Sequence, residues 1–138
     1  MSRETNSRVI ARSAHLVSVS VLVVASMALV GCSLFGGGVS PVEVPTTPVG
    51  IVGEIKSVEF SDGGEIIATM LVEGGEQPAG AVSDKAMVTV TTDTNVAQGD
   101  RWVPAQDLAV GMTVRVWFDG AVAESYPVQG SASFIEVQ

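Results

Sequence analysis

The stretch MTVRVWFDG at residues 112–120 decides the fold class, because apolar side chains recur at every second position from Met112 to Phe118 and a turn follows. Strict alternation of this kind is typical of a β-strand with one buried face. The turn dipeptide is Asp119-Gly120, and such a pair after an alternating run is a strong signal for a β-hairpin. We therefore expect residues 121–125 to return as the antiparallel partner of this strand.

Four further runs have the composition of short β-strands, and turn residues separate them. The runs are residues 51–60, 65–73, 85–92 and 131–137. The apolar phase shifts at Lys56 and Ser57, which predicts a β-bulge inside the first run. In the third run, Ala86, Val88 and Val90 alternate with other residues, which predicts one buried face. Six short strands with turns between them indicate an all-β barrel or sandwich.

One short helix interrupts the strands. The period is lost between residues 93 and 111, where residues 104–108 have the composition of one helical turn and Gly111 is a natural C-terminal stop. This order is compatible with a small five-stranded barrel of the oligomer-binding (OB-like) type, in which one of the six runs continues another across a bend. The alternative is a small β-sandwich, which usually needs more strands.

The first 31 residues have the organisation of an export signal. Residues 1–15 carry three arginines against Glu4, and residues 16–30 are apolar apart from three serines. A basic segment followed by an apolar run of this length is typical of a secretory signal peptide. The alternative is a retained signal anchor, but about 20 apolar residues are needed to span the hydrocarbon core of a membrane.

The sequence LVGC at residues 29–32 resembles the lipobox of bacterial lipoprotein precursors. This resemblance implies cleavage between Gly31 and Cys32, with diacylglycerol on the Cys32 thiol and acyl chains such as palmitate. It also implies a protein held by lipid on the extracytoplasmic face of the cell membrane. Cys32 is the sole cysteine of the chain, and the alternative is a free or disulfide-bonded thiol.

The remaining chain divides into a tether and one domain. The tether, residues 32–49, contains a run of three glycines and then three prolines, with no period that supports a core. Such a composition is typical of a flexible or extended spacer. Residues 50–138 hold all of the predicted strands, and we expect them to fold as an independent small barrel.

Charge and composition narrow the classes of function. Beyond residue 31 there are four basic residues against fourteen acidic ones, a formal charge of −10. Nucleic-acid binding rests mainly on Lys and Arg, so we expect no nucleic-acid partner. The single histidine, His15, lies in the predicted signal peptide, and no cofactor-binding motif is recognisable. We therefore expect no enzymatic activity and no cofactor. A carboxylate-dependent envelope enzyme or enzyme accessory is the alternative, because two acids suffice for glycoside hydrolysis.

Four short segments carry a family resemblance: DKAMV at 84–88, DLAVG at 107–111, VWFDG at 116–120 and ESYP at 124–127. They resemble the YobA-like domain of unknown function found in small bacterial lipoproteins. The resemblance covers most of residues 50–138. It implies an extracytoplasmic barrel-like domain without catalytic residues.

Three aromatic residues are the candidate binding residues. Trp117 falls on the strand face opposite Val116, while Trp102 and Tyr126 fall in predicted loops. Exposed aromatic rings can stack on sugars or anchor a protein partner. The alternative is that the rings pack in the domain, with Trp117 under a loop or beside Tyr126. The sequence thus favours a non-catalytic binding or interaction module for an envelope protein or glycan.

The oxygen-rich segment that contains Asp93, Asn95 and Asp100 is the one candidate for a calcium site in the sequence. Calcium prefers oxygen ligands, but the EF-hand spacing fails because Ala97 stands where a third side-chain ligand is needed. Asp and Asn at a strand end more often form turns. We therefore predict no metal site.

Overall fold

The computed structural model describes residue 38 and residues 40–138, and residues 40–138 form one compact unit. The predicted signal peptide, the cleavage position at Gly31 and Cys32, and nearly all of the tether before residue 40 lie outside the described residues. No helix within the described residues is long and apolar enough to cross a membrane.

Seven strands and one 3₁₀ turn make up residues 40–138. In chain order they are β1 (Ile51–Phe60), β2 (Ile66–Glu73), β3 (Lys85–Thr91), β4 (Asn95–Gln98), β5 (Arg101–Trp102), the 3₁₀ turn Ala105–Asp107, β6 (Thr113–Phe118) and β7 (Val128–Val137). The all-β prediction with one short helical turn is confirmed, and β1 has the predicted bounds.

Five of the strands close into a barrel. β1 pairs antiparallel with β2 and with β6, β2 pairs antiparallel with β3, and β6 pairs antiparallel with β7. The ring closes because β3 also pairs with β7, in parallel, from Ala86↔Val128 to Thr89↔Ser131. Closure leaves these five strands without a free sheet edge along the paired segments. The predicted five-stranded OB-like barrel is confirmed, with β4 and β5 as two additional strands.

The two extra strands form a ribbon on the far end of β7. After a turn, β4 continues the direction of β3 and pairs in parallel with β7 at Phe134 to Val137, and β5 pairs with β4. Both strands lie where the sequence shows no period, because they have four and two residues, too few to display one. The predicted continuation of one of the six runs by another is not found, because the surplus run at residues 121–125 forms no strand and β4, which follows β3, lies outside the predicted runs.

Alternation along the strands fills the barrel. Fully buried inward side chains come from β1 before its bulge and from β2, β3 and β6, as predicted for Ala86, Val88 and Val90, whereas Val58 and Phe118 are partly buried. The largest fully buried side chains are Ile51, Ile55, Met70, Val72, Val88, Val90, Val114, Val116 and Ile135. Each such residue contributes about 1.5–3 kcal/mol when it leaves water. The 3₁₀ turn adds Ala105 and Leu108 to this core.

A bulge bends β1 at the predicted position. The register with β2 shifts between Ile55 and Ser57, so Lys56 is the extra residue. Directly before the bulge, Ile55 exchanges backbone hydrogen bonds of 2.9 Å with Gly111 and Met112, the residues that precede β6. Gly111 has a φ of 92°, which favours glycine at this stop after the 3₁₀ turn.

The predicted hairpin after β6 is wrong. Gly120 does adopt a positive φ of 74°, but residues 121–125 form no strand. The partner of β6 is β7, which begins at Val128 and not at the predicted residue 131. The local turn signal was outweighed by burial, because β7 supplies Ala132, Ile135 and Val137 to the core whereas residues 121–125 supply none.

A glutamine side chain completes the pairing of β1. Gln77 accepts a hydrogen bond from the backbone N–H of Val52 at 2.9 Å and donates one to its carbonyl oxygen at 2.7 Å. The neighbouring backbone approaches so closely that a Cβ on Gly74 would collide with the Val52 carbonyl. Gln77 therefore takes the place of a strand at this point.

We predict that Gln77→Ala lowers the free energy of unfolding by about 1–3 kcal/mol, because it leaves a partly buried N–H and C=O unpaired. Urea unfolding of the variant and the parent chain measures the change. Gln106→Ala, which removes an exposed amide from the 3₁₀ turn, is the matched control. Equal stability of the two variants would contradict the role of Gln77.

Candidate binding site

A second, smaller core lies on the outside of the barrel. Trp117 points away from the barrel interior, yet it is only 3% exposed. It packs with Phe134 of β7, Ala97 of β4 and Val49. Trp117 and Phe134 are opposite each other in the β6–β7 ladder, and their rings meet edge to face at 5.4 Å. The packed alternative is the correct one for Trp117, which packs beside Phe134 and not beside Tyr126.

The aromatic cluster is defined here as Trp102, Trp117 and Phe134. Trp102 belongs to β5 and meets the Phe134 ring edge to face at 6.0 Å. Phe134 is thus the centre of the cluster, with one tryptophan on either side. Edge-to-face pairs contribute about 0.5–1.5 kcal/mol beyond their buried area. Trp102 keeps 39% of its surface exposed, which makes it the accessible member of the cluster.

The segment that we name the strap, residues 40–49, lies across this cluster. The Trp102 indole N–H donates to the carbonyl oxygen of Ser40 at 2.9 Å, and the Trp117 indole N–H donates to that of Thr47 at 3.0 Å. Val49 is buried against Trp117, and Val42 packs at the edge of the same core. This part of the predicted tether therefore belongs to the compact unit of the barrel.

Open clefts flank the strap at both ends. One cleft of about 450 Å³ lies between Pro41, Glu43 and Pro45 of the strap and Trp102 and Phe134 of the cluster. A second, of about 410 Å³, lies beyond Thr47 and Pro48. Its far wall includes Val82, Phe118 and Val122. The strap thus covers the aromatic cluster without filling the surface around it.

One cation faces the cluster. The Arg115 guanidinium carbon lies 5.1 Å from the centre of the Trp117 ring, within the range of a cation–π contact. Arg115 also pairs with Glu136 at 3.1 Å, its cross-strand neighbour on β7. The ion pair with Glu136 holds the guanidinium beside the Trp117 ring, so Trp117 has a charged neighbour in addition to the strap.

Tyr126 lies apart from the two tryptophans, in the connection between β6 and β7. Its ring is 70% exposed, and its charged neighbour is Lys85, with Nζ 6.0 Å from the ring centre. A hydrogen bond with Glu73 raises the pKa of Lys85 above its usual value, and nearby Tyr126 and Asp84 act in the same direction. The three candidate binding residues therefore do not form one site.

The acidic residues do not converge as a metal site would need. Within residues 40–138, no three His, Cys, Asp or Glu side chains come together. Glu54 and Glu73 are cross-strand neighbours, but each forms an ion pair with a lysine, Lys56 and Lys85 respectively. In the segment that was the calcium candidate, the Asp93 N–H donates a hydrogen bond to the Thr91 hydroxyl within a turn. No observation in the described residues favours the carboxylate alternative.

Sequence reasoning missed Phe134 and the strap. Phe134 falls in the predicted last strand, but its outward direction depends on a register shift between β6 and β7 that carries no local signal. The strap falls in the predicted spacer because the glycine- and proline-rich composition of residues 32–49 shows no period that supports a core. A usable signal was present: Val42 and Val49 are apolar positions flanking the prolines.

A closed OB-like barrel with an aromatic cluster on its outer face is the class of protein that the fold and the site define. Residues 81–137, which include β3 to β7, match the family described as a protein of unknown function (DUF3221). This match supports a domain of unknown function in that part of the chain. The YobA-like and lipoprotein resemblances are narrower and stay predictions. No curated protein and no solved structure matches the chain.

We predict that removing the strap weakens the barrel. A chain beginning at residue 50 should unfold with about 3 kcal/mol less free energy than one beginning at residue 40, since it loses the burial of Val49 and two indole hydrogen bonds. Thermal unfolding followed by circular dichroism measures this, and the tryptophan emission should shift to longer wavelength.

A chain with residues 40–49 replaced by glycine and serine is the control for length. It should behave like the shortened chain, because the strap acts through Val42, Val49 and its extended backbone. Identical melting and emission in all three chains would show that the strap does not hold the cluster.

Proposed function

We propose that the protein is a lipid-anchored lipoprotein on the extracytoplasmic face of the cell membrane, and that its barrel is a non-catalytic binding module. The observation that carries the binding role is the aromatic cluster on the outer face, which holds the strap, residues 40–49, across it. The partner class is an envelope protein or glycan.

The sequence around Cys32 supports the anchor. An apolar run at residues 16–30 leads directly into LVGC at 29–32, and the chain has no second cysteine. Two acyl chains hold a protein on a membrane far longer than one chain does, since each buried methylene contributes about 0.8 kcal/mol. The proposal places the protein on a membrane surface and not across it.

The strap limits how far the barrel stands from such an anchor. Eight peptide units connect Cys32 with Ser40, the first residue held by the cluster. A chain of this length spans at most about 29 Å when fully extended. If no residue of the tether up to residue 49 contacted the barrel, the tether would span roughly 50 Å as an extended proline-rich chain. In this proposal the aromatic cluster therefore works near the membrane surface.

The surface chemistry supports recognition without catalysis. Trp102 keeps an accessible ring beside an open cleft, and tryptophan is enriched among residues that dominate binding energy. The chain beyond residue 31 is strongly acidic, which disfavours polyanions as partners. A neutral or basic segment of an envelope protein, or a neutral glycan, fits this field.

We predict that Cys32→Ala abolishes incorporation of labelled palmitate and moves the protein out of the detergent-dependent membrane fraction, or leaves it as unprocessed precursor. The reason is that the acylated thiol is absent. Labelling and fractionation of the expressing cells measure both effects, with Ser33→Ala as the matched control. Normal processing and unchanged fractionation of Cys32→Ala would refute the lipoprotein proposal.

A second prediction concerns the binding role. The full chain, immobilised and exposed to envelope extract, should retain a specific protein or glycan that mass spectrometry identifies. Trp102→Ala should reduce the retained amount at least fivefold, because an exposed aromatic anchor typically contributes more than 1 kcal/mol. Tyr126→Ala, which removes an exposed ring outside the cluster, is the matched control. Equal retention by both variants would place the binding surface away from the cluster.

A further inference from the structure

We propose that the aromatic cluster is a groove for extended, proline-containing peptide segments, and that the strap occupies this groove in cis until a partner segment displaces it. The inference deepens the proposed binding role of the barrel and rests on its proposed place at the cell envelope. It names the class of ligand and the element that controls access to it.

The chemistry of the strap matches that of the cluster. Proline has no N–H and stays extended, so a proline-containing segment presents carbonyl oxygens that its own backbone does not satisfy. The two indole N–H groups supply donors for such oxygens, at Ser40 and at Thr47. Aromatic grooves that recognise proline-rich segments use the same combination of flat rings and preformed extended chain.

The groove contacts the backbone of the bound segment more than its side chains. Both indole hydrogen bonds go to main-chain carbonyl oxygens, which every peptide carries. Among the strap side chains, Val49 is buried, while Val42 and Pro45 are half-buried and the others are exposed. A different proline-containing segment that follows the same course can therefore bring its carbonyl oxygens to the same indole donors.

The strap is seated loosely enough to leave. An open cleft of about 450 Å³ separates part of it from Trp102 and Phe134, so its middle residues bury little surface. Covalent attachment gives the strap an effective concentration on the order of millimolar, as for a short linker, in addition to the buried Val49 and the two indole hydrogen bonds. A free segment with more ring contacts can compete with such an occupant, and its apparent affinity is its intrinsic affinity multiplied by the fraction of grooves that the strap leaves free.

Charge favours a partner segment over the strap of a second copy. Residues 32–138 carry a formal charge of −10, so two copies repel each other as they approach. The strap itself contributes Glu43 to the cleft. A segment without that acid, or with a basic residue in its place, meets a more favourable field. The occupant is therefore a proline-containing segment of another envelope protein.

A peptide titration tests the inference. The probe is a synthetic peptide with the sequence of residues 40–49, SPVEVPTTPV. It is added to two full chains in mild detergent, the parent and a variant whose residues 40–48 are glycine and serine. Because the chain has two tryptophans, ¹⁵N spectra show two indole signals that report directly on the groove. Both signals of the variant should shift on binding, and the parent should need at least tenfold more peptide.

Two matched peptides define specificity. A peptide with Glu43→Lys should bind severalfold more tightly, and one with all three prolines changed to glycine should bind at least fivefold more weakly. In the strap-replaced chain, Trp102→Phe should weaken binding severalfold, since it keeps the ring and removes one donor. Equal affinity of the proline and glycine peptides, or of the parent and variant chains, would overturn the inference.

A milder variant tests the inference in case the strap-replaced chain does not fold. The double substitution Val42→Ser with Pro45→Gly loosens the strap and retains the buried Val49. It should bind the peptide more tightly than the parent chain, and an affinity equal to that of the parent would also overturn the inference. If no peptide shifts an indole signal while the chain still captures an envelope component, the groove inference fails and the binding role stands.

Discussion

The parallel pairing of β3 with β7 closes the barrel, and both the inner core and the outer aromatic cluster depend on it. The pairing joins Ala86–Thr89 to Val128–Ser131 across a crossover of more than 30 residues. A connection of this kind has a large entropic cost of closure, so the contacts that it creates must be extensive. These contacts are extensive, because β7 extends past β3 and pairs with β4 and with β6 along the same segment.

The far half of β7 creates the outer face of the barrel. A register shift opposite Trp117 turns Phe134 outward, and Ser133 bonds back to the Trp117 carbonyl at 3.2 Å. A barrel of this size has limited room for apolar burial inside, so an outer layer adds stability that the interior cannot supply. The strap completes that layer. It also gives the buried Trp117 indole N–H the acceptor that it needs.

Strand identity was more predictable than strand pairing. The runs at β1, β2, β3 and β6 were recognised from period and composition because each has one face in the core. The pairing of β6 with β7 was not recognised. The Asp119-Gly120 turn signal is local, whereas strand pairing depends on which segment buries more apolar surface. β4 and β5 were missed because strands of two and four residues show no period. Of the candidate site, Trp102 and Trp117 were named from sequence, but their common neighbour Phe134 was not.

The sequence by itself determined the all-β class, the barrel-like order of elements, the acidic surface and the features that suggest export and lipidation. These are properties of composition, of local periodicity and of short motifs, which need no knowledge of distant contacts. Tertiary structure decided that Trp117 is buried, that Tyr126 stands apart, and that residues 40–49 pack on the barrel. The physical reason is that each of these depends on contacts between segments up to 70 residues apart, as between Trp117 and Thr47.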